Sequence, residues 1–207
     1  MQDYKLKSKQ SFDHQAETYD HDKNGFHARN LYQTILLKTK RFPLGKVLDV
    51  GCGTGALLEQ LLKVHSGSSN QFFGLDLSNK MLEMAEARLL GKATLVQGDA
   101  ERLPFMDSSF DTVLCCDSFH HYPNPQQAIL EFYRVIKPNG RLLISDYWKP
   151  FPIRQMINLF LPYSNDGDVK IYSQKEIMMF LETVHFDITS YEHTNSSSYI
   201  VIAKKGF

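Results

Sequence analysis

The feature that most constrains the fold of this chain is a glycine-rich turn in the sequence VLDVGCGTG, residues 47–55. It follows a short apolar run typical of a buried strand and precedes helix-forming sequence from Ala56 to Val64. A strand, a tight glycine turn and a helix N-terminus place bare backbone N–H groups against a small polar ligand. A side chain in place of Gly51, Gly53 or Gly55 would hold that ligand away or forbid the dihedral angles of the turn. The sequence therefore predicts a nucleotide-like cofactor at this turn.

The glycines alone leave the kind of cofactor open. Gly51, Gly53 and Ala56 match the dinucleotide fingerprint G-x-G-x-x-G/A, and Asp76 lies 20 positions beyond Ala56, where a ribose-binding acid is expected. Asp49 argues against a dinucleotide, because its charge would repel a pyrophosphate. Its carboxylate could instead order the turn through backbone N–H groups or reach an ammonium group on the ligand. A strand-end Asp that caps its own turn is the simpler alternative.

Composition describes a globular protein with room for one core. The chain has 207 residues, 43% of them hydrophobic, which suggests a single domain. Its 23 basic and 23 acidic residues cancel, which argues against a nucleic-acid surface. No stretch approaches the roughly 18 apolar residues of a membrane span, and the start lacks the apolar core of a secretory signal. We therefore expect a cytoplasmic protein with no membrane span and no nucleic-acid partner.

The three cysteines indicate no special chemistry. Cys52, Cys115 and Cys116 lack C-x-x-C spacing, so the sequence favours neither a zinc site nor a disulfide framework. We expect small, buried apolar side chains in a reducing compartment and no metal site.

Strand-like and helix-like segments alternate from about Lys46 onward. Short apolar runs suited to central strands lie at 47–50, 72–75, 94–97, 112–116 and 142–145. Ser78, Asn124 and Ser173 stand where helix N-caps are expected, and Asn139-Gly140 predicts a turn into the fifth strand. Alternation of this kind predicts an α/β fold with a mostly parallel sheet that is covered by helices on both faces.

The two ends of the chain differ from the middle. Residues 24–40 predict a helix with one apolar face, and the tail predicts two strands at 186–193 and 198–204. Their short connection permits only an antiparallel pair. Nicotinamide-binding domains do not usually end in this way, so the tail argues against a nicotinamide enzyme.

Polar side chains follow later strands at the carboxyl edge of the sheet, where open α/β folds bind ligands. Asp76 can accept hydrogen bonds from both ribose hydroxyls, and Asp99 could accept one from an exocyclic amine such as that of adenine. His121 and Tyr122 could transfer a proton or stack on a substrate. A turn-forming role for Asp99 and a loop-filling role for the histidine remain alternatives, and Met81 fits either a purine contact or plain core.

Five sequence segments follow one another along the chain in an order and spacing typical of one enzyme family. They are VLDVGCGTG at 47–55, LDLSNKML at 75–82, GDAERLPF at 98–105, FDTVLCCDSFHHYPNP at 110–125 and RVIKPNGRLLISD at 134–146. With SFDHQAETYD at 11–20, they resemble the class I S-adenosylmethionine-dependent methyltransferases. The resemblance is greatest to the small-molecule branch that includes the ubiquinone/menaquinone biosynthesis methyltransferases.

This resemblance implies S-adenosylmethionine as the cofactor and assigns a role to each matching residue. Asp49 and the turn at 51–55, with Cys52 among its residues, would hold the methionine part. Asp76 would hold the ribose. Backbone at Cys116 and Asp117 would lie near the amino-acid end of the cofactor.

The same resemblance implies the surroundings of the adenine and the topology of the sheet. Leu77 and Met81 would lie beside the adenine, Asp99 and Ala100 would meet its edge, and Tyr19 would close over the cofactor. The fold would be a Rossmann-like, seven-stranded, mostly parallel sheet of order 3-2-1-4-5-7-6, with strand 7 antiparallel and helices on both faces.

The implied reaction is methyl transfer to a small, hydrophobic or aromatic acceptor. His121 is the candidate to accept a proton from the acceptor. After the fifth strand the chain departs from the family pattern, and an apolar helix candidate at 153–160 predicts either a substrate lid or an ordinary packed helix. We expect one methyltransferase domain over 1–207, with an N-terminal helical cap at 1–40 and a substrate lid within 147–170.

Two other functions remain alternatives. A nicotinamide-dependent reductase accommodates the glycines and Asp76 but gives no use to Asp49 or the tail hairpin. A non-catalytic module that binds S-adenosylmethionine also fits, since methyl transfer needs no obligatory side-chain signature. The expected partner is a small-molecule methyl acceptor, and the sequence leaves open whether the chain forms a homodimer.

Overall fold

A computed structural model of the protein describes residues 2–23 and 25–206, with side chains from Tyr4 onward. Asn24, the first residue of the predicted N-terminal helix, lies outside the described residues, as do both ends of the predicted domain, Met1 and Phe207. The described part of the chain forms one seven-stranded sheet flanked by seven α-helices.

The strands and helices alternate as the sequence predicts. The strands are β1 (Lys46–Val50), β2 (Gln71–Asp76), β3 (Thr94–Gln97), β4 (Phe110–Cys116), β5 (Ile136–Tyr147), β6 (Phe186–Asn195) and β7 (Ser198–Lys205). The helices are α1 (Gln2–Gln15), α2 (Phe26–Thr39), α3 (Ala56–Val64), α4 (Asn79–Leu89), α5 (Pro125–Val135), α6 (Ile153–Phe160) and α7 (Gln174–Thr183). Within the described ranges, no helix is long and apolar enough to cross a membrane.

The sheet has the order β3-β2-β1-β4-β5-β7-β6, which confirms the predicted topology. Strands β1 to β5 pair in parallel, and β7 pairs antiparallel with both β5 and β6. Because the parallel strands share one direction, their carboxyl ends meet at one edge of the sheet, where the glycine turn also lies.

Apolar cores lie on both faces of this sheet. Neighbouring residues of β1 point to opposite faces, so Leu48 packs into the core beneath α5 and α7, and Val47 packs into the core beneath α2 and α3. All three cysteines are buried and unpaired, as small apolar side chains would be.

Three predicted helix starts carry the expected caps. The Ser78 side chain accepts a hydrogen bond from the backbone N–H of Met81, and Asn124 caps α5 in the same way. Ser173 forms a full capping box with Glu176 at the start of α7. These local signals therefore fix where the helices begin.

The predicted turn at Asn139-Gly140 lies within strand β5, where Asn139 has the left-handed φ of 65° that turns use. Strand β5 is continuous through both residues, and its pairing with β4 shifts between Phe110 and Thr112. A Cβ on Gly140 would lie 2.9 Å from the carbonyl oxygen of Asp111, so glycine lets the two backbones approach closely. Four residues of β5, 137–140, lie between the partners of Phe110 and Thr112, so the turn takes the form of a wide bulge in the β4–β5 pairing.

Candidate active site

The glycine turn after β1 adopts a backbone that only glycine tolerates well. Gly51, Gly53 and Gly55 have φ values of 76°, 52° and 75°. A Cβ on Gly51 would lie 2.1 Å from Ser118 Oγ, so the turn packs directly on the segment after β4. The backbone N–H of Gly51 donates to the carbonyl of Leu75 at 2.7 Å, which fastens the turn to β2.

Asp76, at the end of β2, orders this turn. Its Oδ2 accepts a hydrogen bond from the backbone N–H of Gly53 at 2.8 Å, and its Oδ1 accepts one from that of Ser78 at 2.8 Å. Burial raises the pKa of Asp76 above its ordinary value, and the two backbone bonds limit that rise. The ordering role considered for Asp49 therefore belongs to Asp76.

Asp49 lies beneath the turn and is only 1% exposed. Its Oδ1 has no hydrogen-bond partner among the described residues. Burial, together with the nearby charge of Asp76, raises the pKa of Asp49 to about 7. An unpaired buried carboxylate behind a binding turn favours a cationic ligand, which fits the ammonium and sulfonium groups of S-adenosylmethionine.

The turn faces a cavity whose wall contains every predicted cofactor residue except Asp49 and Gly55. These wall residues are Tyr19, Gly51, Cys52, Gly53, Asp76, Leu77, Met81, Asp99, Ala100, Cys116 and Asp117. Gly55 is buried behind the wall, where a Cβ would lie 3.1 Å from Ala85 Cβ of α4. The residues that sequence analysis selects from separate segments thus meet at one site, and their roles in binding remain predictions.

Helix α1 lies across one side of this cavity. Its residues Lys5, Ser8, Lys9 and Phe12 line the wall. Lys5 Nζ donates to Asp99 Oδ2 at 2.6 Å and to Glu101 at 2.5 Å. The polar sequence of this segment gave no sign of such a contact, because both ion-pair partners lie more than 90 positions away in the chain.

A second cavity of about 390 Å³ adjoins the first and shares Phe12, Tyr19, Asp117 and His121 with it. A volume of this size suits a small molecule. Apolar side chains on the side of α6 complete its wall, and they are Ile157, Leu161 and Ile171. We call this space the acceptor cavity, after the methyl acceptor that the sequence predicts.

A polar cluster at the other side of the acceptor cavity includes the predicted catalytic residue His121. The imidazole of His120 pairs through Nδ1 with Asp146 Oδ1 at 2.6 Å. Both histidines also approach Asp168 Oδ1, at 3.5 Å from His120 Nε2 and 3.3 Å from His121 Nδ1.

The two histidines differ in charge. Burial lowers the pKa of His120, but the charge of Asp146 and the hydrogen bond to it outweigh burial and raise that pKa to about 9. Burial and the neighbouring His120 together lower the pKa of His121 to about 4. His121 is therefore neutral at pH 7 and can accept a hydrogen bond or bind a cation.

Sequence analysis missed several side chains of this cluster. Asp146 stands at the carboxyl end of β5, a position that could have marked it. His27 lies 2.5 Å from Asp117 through its Nδ1, and its ring stacks on Tyr147 at a centroid distance of 3.5 Å. Asp168 follows α6 in a loop. The sequence around His27 and Asp168 carries no comparable signal.

Helix α6 is not packed into the core. All of its residues are exposed or half-buried, and Met156, Leu159 and Phe160 are 60%, 71% and 70% exposed. The packed-helix alternative is therefore wrong for this segment. The lid remains a prediction, and Ile157 is the residue of α6 that reaches the acceptor cavity.

Comparison with known proteins gives consistent matches. Residues 48–144 match the methyltransferase domain family. The chain is similar to a ubiquinone/menaquinone biosynthesis C-methyltransferase of Haemophilus ducreyi, with 31% identity over 185 residues that cover 78% of this chain and 71% of the relative.

Two solved structures share the fold. The YcgJ protein of Bacillus subtilis has a TM-score of 0.73 at 17% identity, covering 86% of this chain and 99% of that one. Phosphoethanolamine N-methyltransferase 2 of Haemonchus contortus, solved in complex with S-adenosyl-L-methionine, has a TM-score of 0.72 at 20% identity and covers 86% and 53%.

Proposed function

Since the chain belongs to the class I S-adenosylmethionine-dependent methyltransferases, we propose that it methylates a small aromatic acceptor of the phenol or quinol type. The cofactor is S-adenosylmethionine, and the reductase considered from the sequence is set aside. Bound in the first cavity, this cofactor supplies an electrophilic methyl group on a sulfonium.

One observation carries the proposal: the acceptor cavity adjoins the cofactor cavity, and the two share a wall that includes Tyr19, Asp117 and His121. Methyl transfer is an in-line displacement, so holding the acceptor opposite the methyl carbon supplies most of the catalysis. A molecule held in the acceptor cavity would therefore lie next to the cofactor, where these lining residues are common to both cavities.

The side chains around the acceptor cavity support an aromatic acceptor with a hydroxyl group. Ile157, Leu161 and Ile171 would contact the ring, while His121 and Asp168 would face the hydroxyl. The relative from Haemophilus ducreyi is named for quinone biosynthesis, which favours a quinol over an amine.

The cofactor residues can be assigned in the same way. Asp76 would hold the ribose hydroxyls, and Leu77 and Met81 would flank the adenine. Asp49 would complement the ammonium group through its charge, acting from beneath the turn. Tyr19 would cover the sulfonium, whose charge an aromatic face stabilises.

Two measurements test this proposal. Calorimetry with S-adenosylhomocysteine should give one binding site, and NADH should not compete for it. Incubation with S-adenosylmethionine and a panel of quinols, phenols and aliphatic amines should yield methylated quinols or phenols by mass spectrometry. Methylation of the amines alone would contradict the acceptor class, and binding without any turnover would favour a non-catalytic module.

A further inference from the structure

Three metal-ligating atoms converge at the polar end of the acceptor cavity. They are His120 Nε2, His121 Nδ1 and Asp168 Oδ1, and all three lie within 4.8 Å of one another. The two histidines follow β4, whereas Asp168 comes from the loop after α6. The fold therefore brings together donors that are remote in sequence.

The two distances that join these histidines to Asp168 match the ligand shell of a four-coordinate ion. Asp168 Oδ1 lies 3.5 Å from His120 Nε2 and 3.3 Å from His121 Nδ1. A tetrahedral zinc ion with bonds of about 2.0–2.2 Å holds neighbouring ligand atoms about 3.3–3.6 Å apart. An octahedral ion with bonds of similar length would hold adjacent ligands closer, at about 3 Å.

Two further features indicate a ligand at this point. His121 Nδ1 is buried and has no hydrogen-bond partner in the part of the chain that the structure describes, although it lies 3.3 Å from Asp168 Oδ1. On the other side, Asp146 holds His120 through its Nδ1 and also accepts the backbone N–H of that residue at 3.0 Å. A carboxylate that fixes one imidazole nitrogen while the other faces the ion is the usual support of a zinc-binding histidine.

We propose that His120, His121 and Asp168 form a binding site for a divalent cation of the zinc type, which on binding displaces the Nε2 proton of His120 to solvent. Its fourth position faces the acceptor cavity, because all three residues line that cavity. The sequence predicts no metal site, because its cysteines lack the spacing of a zinc motif.

The use of this cation rests on the function proposed above. An acceptor hydroxyl bound at the fourth position would lose its proton to solvent more readily, since a bound cation lowers the pKa of a coordinated oxygen. The methyl carbon would then exchange its bond to sulfur for a bond to the activated acceptor. The cation would take no part in electron transfer.

Cobalt binding to untagged protein tests the site directly. We expect Co²⁺ to bind with one-to-one stoichiometry and to give the intense visible bands of a four-coordinate complex, and we expect Zn²⁺ to displace it. Asp168→Asn and His121→Gln should each weaken Co²⁺ binding at least roughly tenfold. Asp168 is partly exposed, with 20% of its side chain accessible, so its variant should fold.

Asp166→Asn is the matched control. Asp166 lies two positions away on the same loop, but it bonds to Ser11 and Gln15 instead of the histidines. We expect it to bind Co²⁺ as the unaltered protein does. Absence of Co²⁺ binding at high micromolar concentration, equal binding by Asp168→Asn, or the weak spectrum of a six-coordinate complex would overturn the proposed site. S-adenosylhomocysteine binding in the same samples separates failure of this site from failure of the proposed function.

Discussion

Replacing Asp49 with asparagine should change how stability depends on pH. The substitution keeps the shape of a buried side chain and removes its charge. Because the folded-state pKa of Asp49 is raised to about 7, the folded protein holds a proton there that the unfolded chain, with a pKa near 3.8, has already released. The contribution of Asp49 to the stability of the unaltered protein should therefore fall as pH rises through this window and level off above about pH 7.

The magnitude follows from the width of the window. Each pH unit between the two pKa values costs roughly 1.4 kcal/mol of unfolding free energy. Between pH 5 and pH 8, the free energy of unfolding of the unaltered protein should fall by about 3 kcal/mol relative to that of Asp49→Asn. Solvent screening should weaken this effect little, because Asp49 is almost completely buried.

Urea unfolding at several pH values measures the effect. Subtracting the curve of the unaltered protein from that of Asp49→Asn cancels the titration of all groups that the two share. Asp111→Asn is the control, since hydrogen bonds from the Lys46 backbone and the Lys137 side chain outweigh burial and lower the pKa of Asp111. That carboxyl is ionised in both states above pH 5, so its difference curve should be flat.

A flat difference curve for Asp49→Asn would refute this reasoning, since it would mean that the buried carboxylate has a partner that keeps it charged. A second readout concerns the ligand. If the ionised form of Asp49 attracts the cationic end of the cofactor, S-adenosylhomocysteine should bind more tightly to the unaltered protein at pH 8 than at pH 6. The variant should lose most of that dependence.

Three further substitutions test other parts of the site. Gly51→Ala should abolish S-adenosylhomocysteine binding in calorimetry. Gly67→Ala carries similar backbone strain of about 1–2 kcal/mol, but its Cβ would meet open space, so it should leave binding intact. Equal losses of binding in the two variants would refute the steric argument. Lys5→Ala should speed ligand dissociation in stopped-flow experiments roughly two- to fivefold, corresponding to about 0.5–1 kcal/mol, and an unchanged rate would mean that its ion pairs do not hold α1. Ile157→Ser should raise the KM for the acceptor about tenfold, whereas the exposed Leu159→Ser should not, and similar KM values would argue against a lid.

Local patterns predict much of this fold because they act over a few residues. The helix caps at Ser78 and Ser173 and the strand-to-helix turn at 51–55 need only their neighbours in sequence. The order of the strands came from the family resemblance, since hydrophobic periodicity does not say which strand pairs with which. The turn at Asn139 was predicted, but its place within the β4–β5 pairing was not, because that pairing depends on contact with another strand.

The residues of the candidate site show the same difference between local signals and long-range contacts. Asp76 and Asp99 were predictable because they end strands at the edge where ligands bind. Lys5 and Asp168 were not, since only the folded chain brings them to the cavities. For these residues, long-range packing carries the information that local sequence lacks.

Helix α1 also has a consequence for the timing of turnover. Residues of α1 line one side of the cofactor cavity, so we expect exchange of the demethylated product for fresh cofactor to require movement of this helix. The contacts that secure it include the partly exposed ion pairs of Lys5, which dissolved salt weakens. Raising the ionic strength should therefore increase the rate of turnover and lower the affinity for the cofactor. Both effects would arise from the same N-terminal helix.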